Sequence, residues 1–351
     1  MKQWRKRGIV LVAAFSLAVA SLAGCGATDP EETVLTVGEE QVPFGVVNYF
    51  SRMQQARYES YYAAMMGMTG EAFWEQDTTG ADSKKQSYEE MVKEGVMGDM
   101  QQLYLIRQHA EEYGVTLSEE EETAIEEAAK QFVSDNAQEA RDVVSGEEKY
   151  VKEYLTLMAI ENKMAPKMME GVDEDVSDEE AAQKAMEYIY VAYSKQDESG
   201  NSVDLSDEEK ESLKEDVKKA MDDVKAEKAT FAEAAEELGV SVQTATFDKD
   251  SYAPNADLVK AADALEKEGD YTDLVEIDRG IYVGHLTSLL DREATDTKKA
   301  SVVEQRKNEQ FSDLVDTWKE ETKITVNEGL WKKVSFTKQG VTIKDTATAT
   351  E

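Results

Sequence analysis

The sequence predicts an α+β protein, mainly helical toward both ends, with a small sheet-bearing region between. Three observations support this. Val92, Val96, Met100, Leu103 and Ile106 recur at spacings of three and four, which places them along one face of a long helix. A similar stripe returns late in the chain at Phe311, Leu314, Val315 and Trp318. Between the two, Tyr188-Ile189-Tyr190-Val191-Ala192-Tyr193 and Gly280-Ile281-Tyr282-Val283-Gly284-His285-Leu286 are β-branched and aromatic runs that suit a pleated surface.

The start of the chain has a different character. Lys2, Arg5, Lys6 and Arg7 precede an uncharged apolar run from Gly8 to Ala23, which ends in Leu22-Ala23-Gly24-Cys25. Basic start, apolar middle and small residues before a cut are the order of a secretory signal. Roughly 15 apolar residues at about 1.5 Å each are marginal for spanning a bilayer, which favours a signal over a permanent span. Leu-Ala-Gly-Cys resembles the bacterial lipobox, in which diacylglycerol is added to the thiol and the signal is cut immediately before it. That resemblance implies a signal over 1–24 and a lipid on Cys25 that holds the mature chain at the extracytoplasmic face of a bacterial cell membrane. The plainer alternative is a signal with an incidental thiol. Cys25 is the single cysteine, so no internal disulfide is available.

Charge narrows the function classes. The net charge of −35 becomes more negative once the four cations of the signal leave, and such a field repels nucleic acid and anionic lipid. No glycine-rich phosphate loop is present. With two histidines and the thiol acylated, His-dependent triads and Cys/His zinc sites are poorly supplied. Glu119 to Glu122 match no EF-hand loop and read as a solvated helix start. Neither cofactor nor metal is expected. At 41% hydrophobic residues in periodic order, the chain nevertheless has the means to build cores.

Taken in order, Gly26 to Thr33 is a polar tether and Val34 to Val37 a strand closed by a turn at Gly38-Glu39-Glu40. A helix begins near Pro43, a residue favoured in the first helical turn, and runs through Phe50 and Met53 to Tyr62. Met65, Met66 and Met68 read as core rather than as a plastic surface for unfolded clients. Thr78 to Ser83 is a loop, and the long helix from Tyr88 ends at Gly114 in a left-handed cap. Ser118 with Glu121, Ser177 with Glu180 and Ser206 with Glu209 are capping boxes that mark three helix starts. Pro166 and Gly171 break the chain before a domain boundary near 175.

The middle region follows as a strand at 188–193, a polar turn from Gln196 to Ser202 and an amphipathic helix along Leu213, Val217, Met221 and Val224. Thr230 and Glu233 cap a short helix that ends at Gly239. After an irregular stretch come a helix over 258–265 and the strand from Gly280, giving the order β-α-α-(loop)-α-β. Ile324-Thr325-Val326 is a final strand, and the polar, threonine-rich end over 338–351 is expected to be disordered.

Three stretches together resemble the PrsA/SurA group of extracytoplasmic foldases. They are Val37-Gly38 through the helix at Pro43, then Met91 to Glu121 with Leu103-Tyr104-Leu105-Ile106 and Gly114-Val115-Thr116-Leu117-Ser118, and finally Arg306 to Val326. The lipobox matches the PrsA branch. The resemblance implies a tether at 25–33 and a SurA-like helical chaperone domain built from 34–175 and 295–337. A small parvulin-like (peptidyl-prolyl isomerase) antiparallel-sheet domain at 176–294 would be inserted into it. The implied partners are unfolded or extended exported polypeptides, and the membrane through the lipid on Cys25.

The isomerase signature itself is degenerate. Parvulin domains open with a strand like His-Ile-Leu-Val and close with one like Gly-Tyr-His-Ile, where this chain has Tyr188-Ile189-Tyr190-Val191 and Gly280-Ile281-Tyr282-Val283. Both family histidines are thus replaced, by Tyr188 and Tyr282. His285 lies three residues beyond Tyr282, on the opposite strand face. The family's Gly-Gly-Asp-Leu-Gly-like loop is missing, and Tyr252 and Leu258 are the nearest candidates for its proline pocket. Prolyl isomerisation needs no nucleophile. Its barrier of about 18–20 kcal/mol falls when the amide is twisted in an apolar pocket with oriented polar groups.

Two facing tyrosines could supply hydrogen bonds there, but a cross-strand aromatic pair is the simpler role. The expectation is a membrane-tethered foldase with weak or lost isomerase activity. The alternatives are an active isomerase of the same architecture and a solute-binding or structural lipoprotein. Adjacency of the strands at 188–193 and 280–287 in one small sheet separates the first two from the third.

Overall fold

The computed structural model describes residues 16–20, 28–63, 65–79, 85–197 and 199–344. Cys25 and most of 1–24 lie outside them. The chain divides into two compact units, 1–171 with 307–351, and 172–306.

In the first unit, Thr33–Val37 is the centre of a three-stranded antiparallel sheet, between Glu40–Pro43 and Ile324–Val326. Gly38, at φ +62, supplies the left-handed residue that the tight turn requires. Pro43 is the N-cap of helix Phe44–Arg57 rather than part of its first turn. That helix is buried on nearly every side, among the helices Tyr88–His109, Glu119–Asp135 and Glu148–Met168. Tyr49 meets Phe132 and Tyr154 edge-on, with ring centroids 5.2 and 5.6 Å apart. Gly45 lets the helix touch Tyr150, since a Cβ there would sit 2.4 Å from the ring.

Local signals placed helix starts well. Ser118 with Glu121 forms the full reciprocal cap, as does an unforeseen Ser87 with Glu90. Helix ends moved more. The first helix gives way to a π-helical segment at Tyr58–Ala63, and Gly114 stands past a turn that follows His109. Pro166 sits inside the last turn of Glu148–Met168 instead of breaking it. Late in helix Arg292–Glu321, Val315 and Trp318 are buried, and Trp318 stacks on His109 at 4.1 Å.

Two expectations are corrected in this unit. Met65 and Met66 are exposed, not core, and only Met68 is packed against the hydrophobic cluster. The end of the chain, expected to be disordered from 338 onward, contains strand Gly340–Ile343, which pairs antiparallel with Leu17–Ala20. Tertiary partners decide this. The Val341 N–H donates to the Glu59 carboxylate at 2.9 Å and the Ile343 N–H to Ser60 Oγ at 2.8 Å. Glu59 also accepts from Trp74 Nε1 and Gln55 Nε2, while burial pushes its carboxyl pKa up against those donors.

The second unit is built on a four-stranded antiparallel sheet in the order Val275–Ile277, Gly280–Ser288, Lys184–Ala192, Gln243–Phe247. The two runs singled out in the sequence are adjacent at its centre. Gln243–Phe247 falls within the stretch taken as irregular, and the first strand begins at Lys184, ahead of its aromatic run. Alternation sorts the side chains. Ile189, Val191, Ile281 and Val283 pack with Val217, Met221, Val224 and Phe231 of helices Asp207–Lys225 and Phe231–Glu237. Met186, Tyr188 and Leu286 pack on the other side with Phe247 and with Leu258 and Val259 of helix Ala256–Asp263.

Candidate functional site

The face that carries Tyr188 and Tyr282 is the candidate site. Tyr282 is registered directly across from Tyr190, and Tyr188 across from Gly284. Tyr282 therefore stacks on Tyr190, at 4.4 Å between ring centroids and 30° between planes, and reaches Tyr188 only diagonally, at 6.1 Å. Tyr190 is the residue that the sequence reading missed. The period-2 rule could have found it, because it lies two positions from Tyr188 and must share its face.

Two of the three phenols are committed. Tyr188 donates to Gln243 Oε1 and Tyr190 to the Arg279 carbonyl, both at 2.7 Å. The Tyr282 hydroxyl makes no hydrogen bond among the described residues, and burial, with Tyr190 and Tyr188 alongside, raises its pKa. Beneath the rings lies a dry floor of Met186, Phe247, Leu258 and Leu286. Gly284 keeps that floor close, since a Cβ there would stand 3.2 Å from Leu258 Cδ1.

The pocket candidates Tyr252 and Leu258 do not meet. Leu258 is fully buried in the floor, whereas Tyr252 is 81% exposed. His285 lies on the opposite face, where it stacks on Tyr271 at 4.4 Å with Nδ1 3.1 Å from Glu187 Oε2. The site thus combines stacked phenols with an apolar floor and carries no imidazole. Such a surface can hold an apolar or proline-bearing segment by ring contact.

A second apolar surface belongs to the first unit. Tyr61, Tyr62, Met65 and Met66 are each more than half exposed, at and just after the π-helical segment. A depression of about 510 Å³ in the second unit is lined by Gln183, Thr246, Asp291 and Lys298 among others, none of them a residue of the tyrosine face. Among the described residues, no group of His, Cys, Asp or Glu could hold a metal ion, and no helix is long and apolar enough to cross a membrane.

Neither a protein-family model nor a curated protein sequence matches the chain. Solved foldases and chaperones are similar to it. The foldase protein PrsA from Streptococcus pneumoniae is 17% identical, over 74% of this chain and 98% of that one, with a TM-score of 0.32. PrsA from Bacillus subtilis is 17% identical, over 75% and 100%, with a TM-score of 0.21. A SurA-like chaperone of Campylobacter jejuni is 9% identical, over 84% and 98%, with a TM-score of 0.28.

Proposed function

We propose that the chain is a foldase-type chaperone of exported polypeptides, held at the extracytoplasmic face of a bacterial membrane by a lipid on Cys25. Residues 34–175 and 295–337 serve as its helical chaperone part, and 176–294 as a parvulin-like part in which isomerisation is weak or lost. One observation carries this reading: Lys184–Ala192 and Gly280–Ser288 pair at the centre of one small antiparallel sheet, with Tyr188, Tyr190 and Tyr282 gathered on a single face. A solute-binding or structural lipoprotein gives no reason for that arrangement. The exposed tyrosines and methionines at 61–66 add a plastic apolar surface suited to unfolded chains.

The test pairs two assays on the processed protein. It is expected to suppress aggregation of an unfolded client while leaving the isomerisation rate of a proline peptide near the uncatalysed value. Rapid catalysis that is abolished by Tyr188→Phe or Tyr282→Phe would instead establish an active isomerase. Failure in both assays would remove the foldase reading.

A further inference from the structure

Residues 16–20 occupy a sheet edge that their own removal would open. Leu17 lies opposite Ile343, Ala18 opposite Thr342 and Val19 opposite Val341, and the Lys344 N–H closes the end on the Ser16 carbonyl at 2.7 Å. The Leu17 N–H donates to Oδ1 of buried Asn136 at 2.7 Å, and Asn136 is oriented by its Nδ2, which donates to the Phe132 carbonyl at 2.9 Å. The Leu17 side chain enters the core and is 2% exposed. On its far side the Gly340–Ile343 strand is pinned independently, by Glu59 at Val341 and Ser60 at Ile343. By the alternation of an antiparallel ladder, the Thr342 N–H faces the Leu17–Ala20 strand.

We infer that the Gly340–Ile343 edge is a docking site for an extended, uncharged, apolar segment of an exported polypeptide, which takes the place that Leu17–Ala20 holds in the precursor. The inference rests on the proposed function, in which the chain is cut before Cys25. That cut severs residues 16–20 from the mature protein but leaves everything that grips them. The edge remains pinned from behind, the Asn136 amide remains aimed, and the site of the Leu17 side chain is vacated. Strand addition to such an edge draws affinity from main-chain hydrogen bonds and selectivity from alternate side chains.

The occupant in the precursor defines the partner's chemistry. Ser16-Leu17-Ala18-Val19-Ala20 carries no charge, with a branched apolar residue at the inward position. Unfolded apolar segments of exported chains share that composition, and the acidic surface disfavours acidic ones. An open strand edge is a hazard in a finished protein and an asset in one that binds extended chains. While residues 16–20 remain attached they block the edge, so docking begins only after processing.

The experiment uses a fluorescent peptide of residues 14–21, titrated by anisotropy onto the processed protein and onto an uncut full chain carrying Cys25→Ala, both in one mild detergent. The processed protein is expected to bind at least tenfold more tightly than the uncut chain. Thr342→Pro, which deletes the edge N–H and leaves the bonds to Glu59 and Ser60, is expected to abolish binding. A peptide bearing Leu17→Asp is expected to fail on the unaltered protein, which keeps the test independent of how the proline variant folds. Equal binding by both forms, no binding by the processed form, indifference to the peptide substitution, or recovery of membrane protein with residues 1–24 intact would each overturn the inference. Aggregation suppression without peptide binding would defeat this inference alone, whereas failure in both the suppression and isomerisation assays would defeat the foldase reading, and with it the exported-polypeptide occupant, even if the peptide binds.

Discussion

The two faces of the four-stranded sheet share one backbone and differ in everything else. One face is sealed, with Ile189, Val191, Ile281 and Val283 under two helices and beyond the reach of a ligand. The other is closed at one end by Leu258 and Phe247, and at the opposite end it presents the partly exposed rings of Tyr190 and Tyr282. The first face holds the unit together, and the second can afford a role in binding. The only imidazole of the sheet, His285, lies on the stabilising side.

The largest effect tests the sealed face. Ile189→Ala is expected to destabilise the second unit by about 2–5 kcal/mol in urea unfolding, because it removes buried volume and leaves a cavity. A loss below 1 kcal/mol would mean that this face is not the structural one. Gly280→Ala probes the pairing on which both faces depend. Its Cβ would lie 2.4 Å from the Val191 carbonyl oxygen, a backbone atom that cannot step aside without bending the strand. A cost of about 1–3 kcal/mol is expected, with the near-UV signal of the tyrosines altered.

Acid tests the polar end of the sheet. Burial alone would raise the pKa of Asp248, but hydrogen bonds from Gln183, Ser251 and Lys298 prevail and hold it down to about 2. Its contribution is present above the ordinary aspartate value of 3.8 and is lost as pH falls through about 2. Asp248→Asn is therefore expected to remove up to about 2 kcal/mol of stability at neutral pH and to flatten the acid limb of the stability curve between roughly pH 4 and pH 2. Unchanged acid unfolding would show that other carboxylates set that limb. The smallest stability effect belongs to the open face. Tyr190→Leu is expected to cost about 1–2 kcal/mol, from one aromatic pair and one exposed hydrogen bond to the Arg279 carbonyl, yet to weaken proline-peptide binding severalfold. A variant that unfolds like Ile189→Ala would erase the distinction between the faces.

Local chemistry carried much of the fold into view. Capping boxes such as Ser118 with Glu121 and Ser206 with Glu209 were legible because donor and acceptor lie three residues apart. The central strand pair was legible because β-branched and aromatic runs are scarce elsewhere in so acidic a chain. Of the candidate site, Tyr188 and Tyr282 were legible as positions and their partnership was not, since register decides that Tyr190 is the stacked neighbour. Tyr252 and Leu258, close in sequence, were parted by burial of one and exposure of the other.

The sequence alone determined the α+β class, the capped helix starts after Ser118, Ser177, Ser206 and Thr230, and the placement of His285 on the face opposite Tyr282. All of these follow from interactions within a few residues or from strict alternation along a strand. Only the tertiary structure decided that Gln243–Phe247 is a strand, that Met65 and Met66 face outward, and that Gly340–Ile343 is ordered. The partners that settle those outcomes are distant in the chain. Phe247 pairs with Lys184, and Val341 needs the carboxylate of Glu59, 282 positions away. Nothing in Gly340-Val341-Thr342-Ile343 announces a buried carboxylate, so the order of that strand became readable only once the chain had folded around it.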